Sequence, residues 1–304
     1  MVYHSLCSDC SKNLIPERQT MTKTVIITDS DSSLPLELSK KFGIQQVPIA
    51  IHFNEKTMCS GIDINDQQLF EIIDREQKIP TTSAPSPQEF INAFQAAFDE
   101  GAESIICICV SSEISATYQS ALNAKEYFAD KDIEIIDSKT LTMAQGFMVL
   151  AAAEAASAGL SKEKIINTIQ GVGERSFIYG ALPTLKYLAM GGRVGKLAAG
   201  MADTLNIKPI LTVQNGKLDM LEKVRTQKKA LKHIIDLSVK RLDGKKMERL
   251  AVIHVNAPLE AKKLLDELCE QINCPTDAFT AEFTPGLSVH AGAGLLGIVV
   301  IMEK

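Results

Sequence analysis

In Pro80-Thr81-Thr82-Ser83-Ala84-Pro85-Ser86-Pro87, four hydroxyl side chains stand among three prolines, a grouping suited to holding an anion. Proline fixes φ and restricts the residue before it, so this stretch is expected to be a stiff extended connector. Hydroxyls on a pre-ordered backbone can bind an oxyanion without losing much conformational freedom, which suits a carboxylate or phosphate site. The same residues also spell a helix start, with Ser86 as N-cap, Pro87 at N1 and Glu89 at N3. A second hydroxyl cluster, Ser111-Ser112-Glu113-Ile114-Ser115-Ala116-Thr117-Tyr118-Gln119-Ser120, closes the apolar run Ser104 to Val110.

Three glycine-bearing motifs invite other chemistry. Gly292-Ala293-Gly294-Leu295-Leu296-Gly297 has the GxGxxG form, but that fingerprint must open a helix inside a βαβ unit, and only seven residues follow Gly297. Its glycines are expected in a tight turn or at a close backbone approach. Gly191-Gly192-Arg193-Val194-Gly195-Lys196 approaches a phosphate loop, yet Met190 holds the first glycine position and Leu197 replaces the Ser/Thr, so ATP binding is not expected. What remains is a turn presenting Arg193 and Lys196 to an anion or a partner. Gly286-Leu287-Ser288-Val289-His290 approaches a nucleophile elbow, but His290 stands where the last glycine must be. His290, beside a glycine turn, could donate to a buried carboxylate. The other histidines show no metal-binding spacing, and no metal is expected.

Thr24 to Thr28, Ser104 to Val110 and Ile133 to Ile136 are buried strands, each ending in a polar cluster: Asp29 to Ser33, Ser111 to Thr117, and Asp137-Ser138. Helices are expected at about Leu34 to Phe42, Asp66 to Gln77, after Pro87 up to Gly101, to about Ala129, and Leu141 to Ala158; Gln46 to Phe53 reads as a further strand. The alternation predicts a parallel sheet covered by helices, with ligands beyond the carboxyl ends of its strands. The pattern changes near Gly173. Beyond it come a strand at Phe177 to Ala181, a hairpin joining Leu205–Gln214 to Lys217–Lys223 through Asn215-Gly216, and a helix at Gln227 to Leu242. A strand at Leu250 to Val255, a helix at Pro258 to Ile272 and strands at Asp277 to Phe283 and Leu296 to Met302 complete it. The expected class is therefore α/β. Residues 23–172 form an N-terminal domain with a parallel sheet, and 173–304 a C-terminal α+β domain with a mostly antiparallel sheet.

Composition bounds the function. The 304 residues, 45% hydrophobic, can bury a sizeable core, and a net charge of -5 with no Lys/Arg run argues against nucleic-acid binding. No stretch approaches the roughly 20 apolar residues of a spanning helix, and no apolar secretion signal opens the chain, so a cytoplasmic location is expected. The seven cysteines indicate no disulfide framework. Residues 1–22, with Cys7 and Cys10 in CxxC spacing, are expected to be a mobile extension.

Four stretches, taken together, resemble the DegV family in order and spacing along about residues 23 to 304: Thr82 to Pro87, Ser111 to Ala121, Tyr187 to Gly195, and His290 to Gly297. The resemblance implies two domains with a long-chain fatty acid in a tunnel between them, similar to the binding subunit of bacterial fatty acid kinase. It implies no catalytic residue in this chain and no cofactor besides the fatty acid ligand. A separate ATP-dependent kinase would phosphorylate the presented carboxylate for phospholipid synthesis, and the carrier would touch the membrane surface transiently. Carried over residue by residue, the carboxylate contacts fall on Thr82 and Ser83, on Ser111 and Ser112, and on His290; Arg193 matches the kinase-docking arginine. Ala116 departs from the family's usual Gly, and Ala293 from its usual Pro. Two other classes stay open: a hydrolase with Ser112 or Thr82 as nucleophile and His290 as base, or a module with a short hydrophilic cleft for a small polar ligand.

Overall fold

The computed structural model describes residues 23–193 and 207–304. The N-terminal extension with Cys7 and Cys10, and the glycine-rich turn from Val194 to Lys196, lie outside the described residues.

The first half runs β1 (Thr24–Asp29), α1 (Leu36–Phe42), β2 (Gln45–Val47), β3 (Ala50–Phe53), β4 (Lys56–Cys59), α2 (Asp66–Glu76) and β5 (Thr81–Ser83). It continues through α3 (Pro87–Asp99), β6 (Ser104–Cys109), α4 (Thr117–Lys125), β7 (Asp132–Asp137), α5 (Thr142–Ser157) and α6 (Lys162–Glu174). The second half runs β8 (Ser176–Ala181), α7 (Lys186–Met190), β9 (Lys208–Gln214), β10 (Lys217–Val224), α8 (Gln227–Leu242) and β11 (Met247–His254). It ends with α9 (Pro258–Cys269), β12 (Phe279–Glu282), α10 (Pro285–Ala291) and β13 (Leu296–Met302). The sheet of the first half has the order β2-β1-β6-β7 and is parallel throughout. The sheet of the second half, β10-β9-β8-β13-β11-β12, is antiparallel except for the β11–β12 pair. The expected α/β class and both sheet types are observed.

Strand periodicity builds the layers. On β6, Ile105, Cys107 and Cys109 pack with α3 and α4, while Ile106 and Ile108, with Val110 just beyond the strand, face α5. On β13, Ile298 and Val300 pack with α8 and α9, while Val299 and Ile301 face α5 from the other side. Helix α5 is thus the middle of five layers, covered by both sheets, and all its residues except Glu154, Ala156 and Ser157 are buried. Its small residues permit that approach. Gly146 lies so close to Ser32 that an added Cβ would stand 2.8 Å from the Ser32 carbonyl oxygen.

Several expectations need correction. The Pro80–Pro87 stretch is not a plain connector: Thr81–Ser83 is β5, which joins β3 and β4 in a small antiparallel sheet of order β4-β3-β5. Its register places Thr82 opposite Ile51. The strand expected over Gln46 to Phe53 divides around Pro48, which has no N–H for a ladder. Helix α1 starts two residues late because Pro35 disfavours helical backbone at Leu34. Helix α10 was hidden by Pro285-Gly286, a pair that reads as a turn; here Pro285 occupies N1. Cys269 and Cys274 form a disulfide across a short loop after α9, a local pairing that the absence of a framework did not foretell. The Ser86 capping box at α3 is present as expected, with Glu89 reaching back to the Ser86 N–H at 2.6 Å.

Candidate functional site

A cavity of about 870 Å³, counting the part open to solvent, lies where the two halves meet. Its walls are mainly aliphatic: Ile178 and Leu182 follow from β8, Leu211 and Val213 from β9, Leu218 from β10 and Ile253 from β11. Ile49, Ile114, Leu141 and Leu287 extend the same surface. Polar side chains come chiefly from segments packed around α10: Asp31 in the 3-10 turn after β1, Thr82 and Ser83 on β5, Arg193 beyond α7, and His290 on α10 itself.

Helix α10 is fastened to the first half at four alternate residues. The Thr284 hydroxyl donates to the Ser30 carbonyl at 2.9 Å, and the Gly286 N–H donates to Ser60 Oγ at 2.9 Å. The Ser288 hydroxyl donates to Asp66 Oδ2 at 2.7 Å, and His290 Nε2 shares a 2.8 Å hydrogen bond with Thr82 Oγ1. Burial raises the Asp66 carboxyl to about 7, against the Ser288 bond, which lowers it. Burial also lowers His290 to about 4, and the Arg193 charge adds to that effect. His290 is therefore neutral at pH 7. Its Nδ1 is buried without a partner and faces Gly191, where an added Cβ would stand only 2.1 Å away.

The expected site residues divide. Thr82, Ser83, Arg193 and His290 meet at one cavity. The Ser83 hydroxyl bonds His52 Nε2 at 2.8 Å. Arg193 is exposed and donates to the Gly191 carbonyl at 2.6 Å. Ser111 and Ser112 are not in the cavity lining. Ser111 is fully buried and donates to the Gly216 carbonyl at 2.7 Å, so it pins the β9–β10 hairpin tip onto the first half. Ser112 is exposed and donates to Asp137 Oδ2 at 2.6 Å. From that cluster it is Ser115 and Ile114 that reach the cavity.

The sequence reading missed Asp31, although the Asp29–Ser33 cluster marked the region. It also missed Asp66 and Ser60, which hold α10 and carry no local signal of that role. The glycines after His290 behave as expected: Gly292 and Gly294 have φ of 82° and 85°, and a Cβ on Gly292 would stand 2.3 Å from Tyr187. Among the described residues, no group of three or more His, Cys, Asp or Glu could hold a metal ion, and no helix is long and apolar enough to cross a membrane.

Two sheets around a shared buried helix, with an apolar cavity at their meeting and neutral donors on its polar side, define a class of cavity-bearing α/β proteins. The chain belongs to the DegV family: residues 23–303 match the family described as "Uncharacterised protein, DegV family". A DegV domain-containing protein of Streptomyces coelicolor is 31% identical, over 90% of this chain and 97% of its own. Among solved structures, DegV of Bacillus subtilis, described as a fatty acid binding protein, superposes with a TM-score of 0.83 at 31% identity, covering 93% of this chain and 100% of that one. A DegV family protein of Thermus thermophilus, described by its fatty acid binding, gives 0.87 at 26% identity, with coverage of 93% and 100%. A stearic acid-binding protein of Eubacterium ventriosum gives 0.84 at 25%, with coverage of 92% and 98%.

Proposed function

We propose that this chain binds a long-chain fatty acid in the cavity and presents its carboxylate to a separate ATP-dependent kinase, which forms the acyl phosphate. In this reading the ligand lies between two domains, 23–172 and 173–304. The observation that carries it is an aliphatic cavity whose polar side holds the Thr82–His290 pair. Burying a methylene is worth about 0.8 kcal/mol, so roughly 15 of them supply on the order of 12 kcal/mol before ordering costs. The tail gives the affinity. The carboxylate must still be hydrogen-bonded, because an unpaired buried charge is strongly unfavourable. A neutral imidazole and a hydroxyl sharing one hydrogen bond leave a donor free for it, without a full countercharge that would hold the ligand too firmly for transfer. The carbon chain is shielded while the head group stays near the mouth, where exposed Arg193 would meet the kinase. Transient contact with a membrane surface would load the tail.

A hydrolase would need a carboxylate on His290 Nδ1 to orient it as a base. That atom faces Gly191, so the geometry favours a carrier. Organic extraction of the protein purified from cells, followed by mass spectrometry, is expected to release a long-chain fatty acid. No lipid in the extract, together with no uptake of added fatty acid, would overturn the reading. In the Arg193→Ala protein, lipid binding should persist while acyl phosphate formation with the kinase falls.

A further inference from the structure

Asp31 has a carboxyl that the fold does not use. It sits in the 3-10 turn after β1, is 6% exposed and lines the cavity, and its Oδ1 accepts no hydrogen bond. The turn does not depend on this side chain: the cap is made by Asp29 Oδ1, which accepts the Asp31 N–H at 2.9 Å. Asp29 itself is well satisfied, since its Oδ2 takes the Val110 N–H at 2.7 Å and Gln145 Nε2 at 3.3 Å. Asp31 instead lies against α10, where a Cβ on Gly286 would stand 2.9 Å from Oδ1. Gly286 is one helical turn from His290.

An ionised carboxylate so placed would be strongly unfavourable. Burial, and then the neighbouring Asp29 charge, raise the Asp31 carboxyl well above its ordinary value; Arg193 works in the other direction and is the smallest of these influences. Asp29 is itself raised to about 6 by burial. A carboxyl that keeps its proton is a hydrogen-bond donor.

We propose that Asp31 is a further head-group residue, donating its carboxyl O–H to the acid of the bound chain beside the Thr82–His290 pair. The proposal rests on the fatty-acid reading of the cavity and adds a selection rule. A carboxyl and a carboxylate can share one proton, whereas a doubly charged phosphate monoester would meet the field of Asp29 and Asp31. The groups facing Asp31 are Asp29 from β1, Arg193 from beyond α7, and α10 with His290. Asp66, at the start of α2, acts on α10 through Ser288. When pH rises and Asp31 ionises, two carboxylates confront each other and affinity falls.

The test uses the full chain stripped of lipid, with hexadecanoic acid as the probe and dissociation constants measured from pH 6 to pH 9.5. The wild-type affinity should drop about tenfold or more across that range. Asp31→Asn should keep the low-pH affinity throughout, because an amide donates at every pH. Asp31→Val should be about tenfold or more weaker at low pH, the usual effect of losing a hydrogen bond to a charged group. Thermal unfolding of the nearly isosteric Asn variant checks the fold. If both variants bind hexadecanoic acid as wild type does at every pH, the Asp31 role is wrong and the carrier reading stands. A decline with pH that survives in Asp31→Asn would assign the titration to Asp66 or to the ligand and likewise overturn it. If no protein binds the acid at any pH, both readings fall together.

Discussion

Two hydroxyl-rich stretches, Thr82-Ser83 and Ser111-Ser112, have similar chemistry on paper and different fates in space. Each pair lies a few residues before a helix, and each could cradle an oxyanion. Thr82 meets His290, 208 residues away, inside an aliphatic cavity. Ser111 meets the Gly216 carbonyl, 105 residues away, and its hydroxyl is consumed there. Ser112 turns outward to Asp137. A hydroxyl can therefore serve a ligand only if the fold leaves its bonding capacity unspent, and residues far along the chain decide that. Of the first pair, Thr82 acts on the cavity directly, while Ser83 lines it with its hydroxyl on His52. The second holds a wall of it in place, since the hairpin that Ser111 anchors carries Leu211, Val213 and Leu218.

The strongest way to break this contrast is to remove His290 from Thr82 without touching either. Gly191→Ala should do so, because its Cβ would arrive 2.1 Å from His290 Nδ1 and force the imidazole aside. Fatty-acid affinity is expected to fall about thirtyfold, roughly 2 kcal/mol, the loss of the one donor that the pair holds ready for a charged group. Titration calorimetry would check it, and wild-type affinity in this variant would remove the pair from the head-group site. Thr82→Val is the next step down. Losing one such donor corresponds to about 1.5 kcal/mol or more, a little over tenfold in dissociation constant, with thermal stability close to wild type.

The contrast also shows what the sequence could carry. The parallel sheet was legible because β1 and β6 are unbroken apolar runs, and the hairpin because Asn215-Gly216 supplies two positive φ values, 49° and 81°. The capping box at Ser86 was legible because it is local. What each serine binds was not legible, since Ser111 and Ser112 differ by the sheet-to-loop geometry at the end of β6 and by partners in the β9–β10 turn and on β7. Asp66 and Ser60 were equally invisible. Nothing near them in sequence announces that α10, more than 200 residues on, will rest its backbone and Ser288 upon them.

Ser111→Ala sharpens the structural side of the comparison. It leaves the Gly216 carbonyl buried without its donor, for a loss of about 1–2 kcal/mol that a chemical denaturation curve would register. The nearby Lys217–Glu113 ion pair, at 3.3 Å, is exposed and can offset little of it. Binding should weaken only as far as the hairpin wall loosens, so stability should change more than affinity.

Ser112→Ala is expected to have the smallest effect, and the reason is specific. Asp137 Oδ1 already accepts the backbone N–H groups of Ser112 at 3.2 Å and Lys139 at 3.0 Å. Removing the Ser112 hydroxyl leaves a half-buried carboxylate that retains those two donors and can take water in its place. Stability should stay within about 0.5 kcal/mol, the usual range for surface substitutions, and fatty-acid affinity should not move. Parallel calorimetric titrations of Ser112→Ala and Thr82→Val give the decisive reading. Equal losses would mean that Ser112 abandons Asp137 for the ligand when the cavity fills, and the division between a binding pair and a supporting pair would disappear.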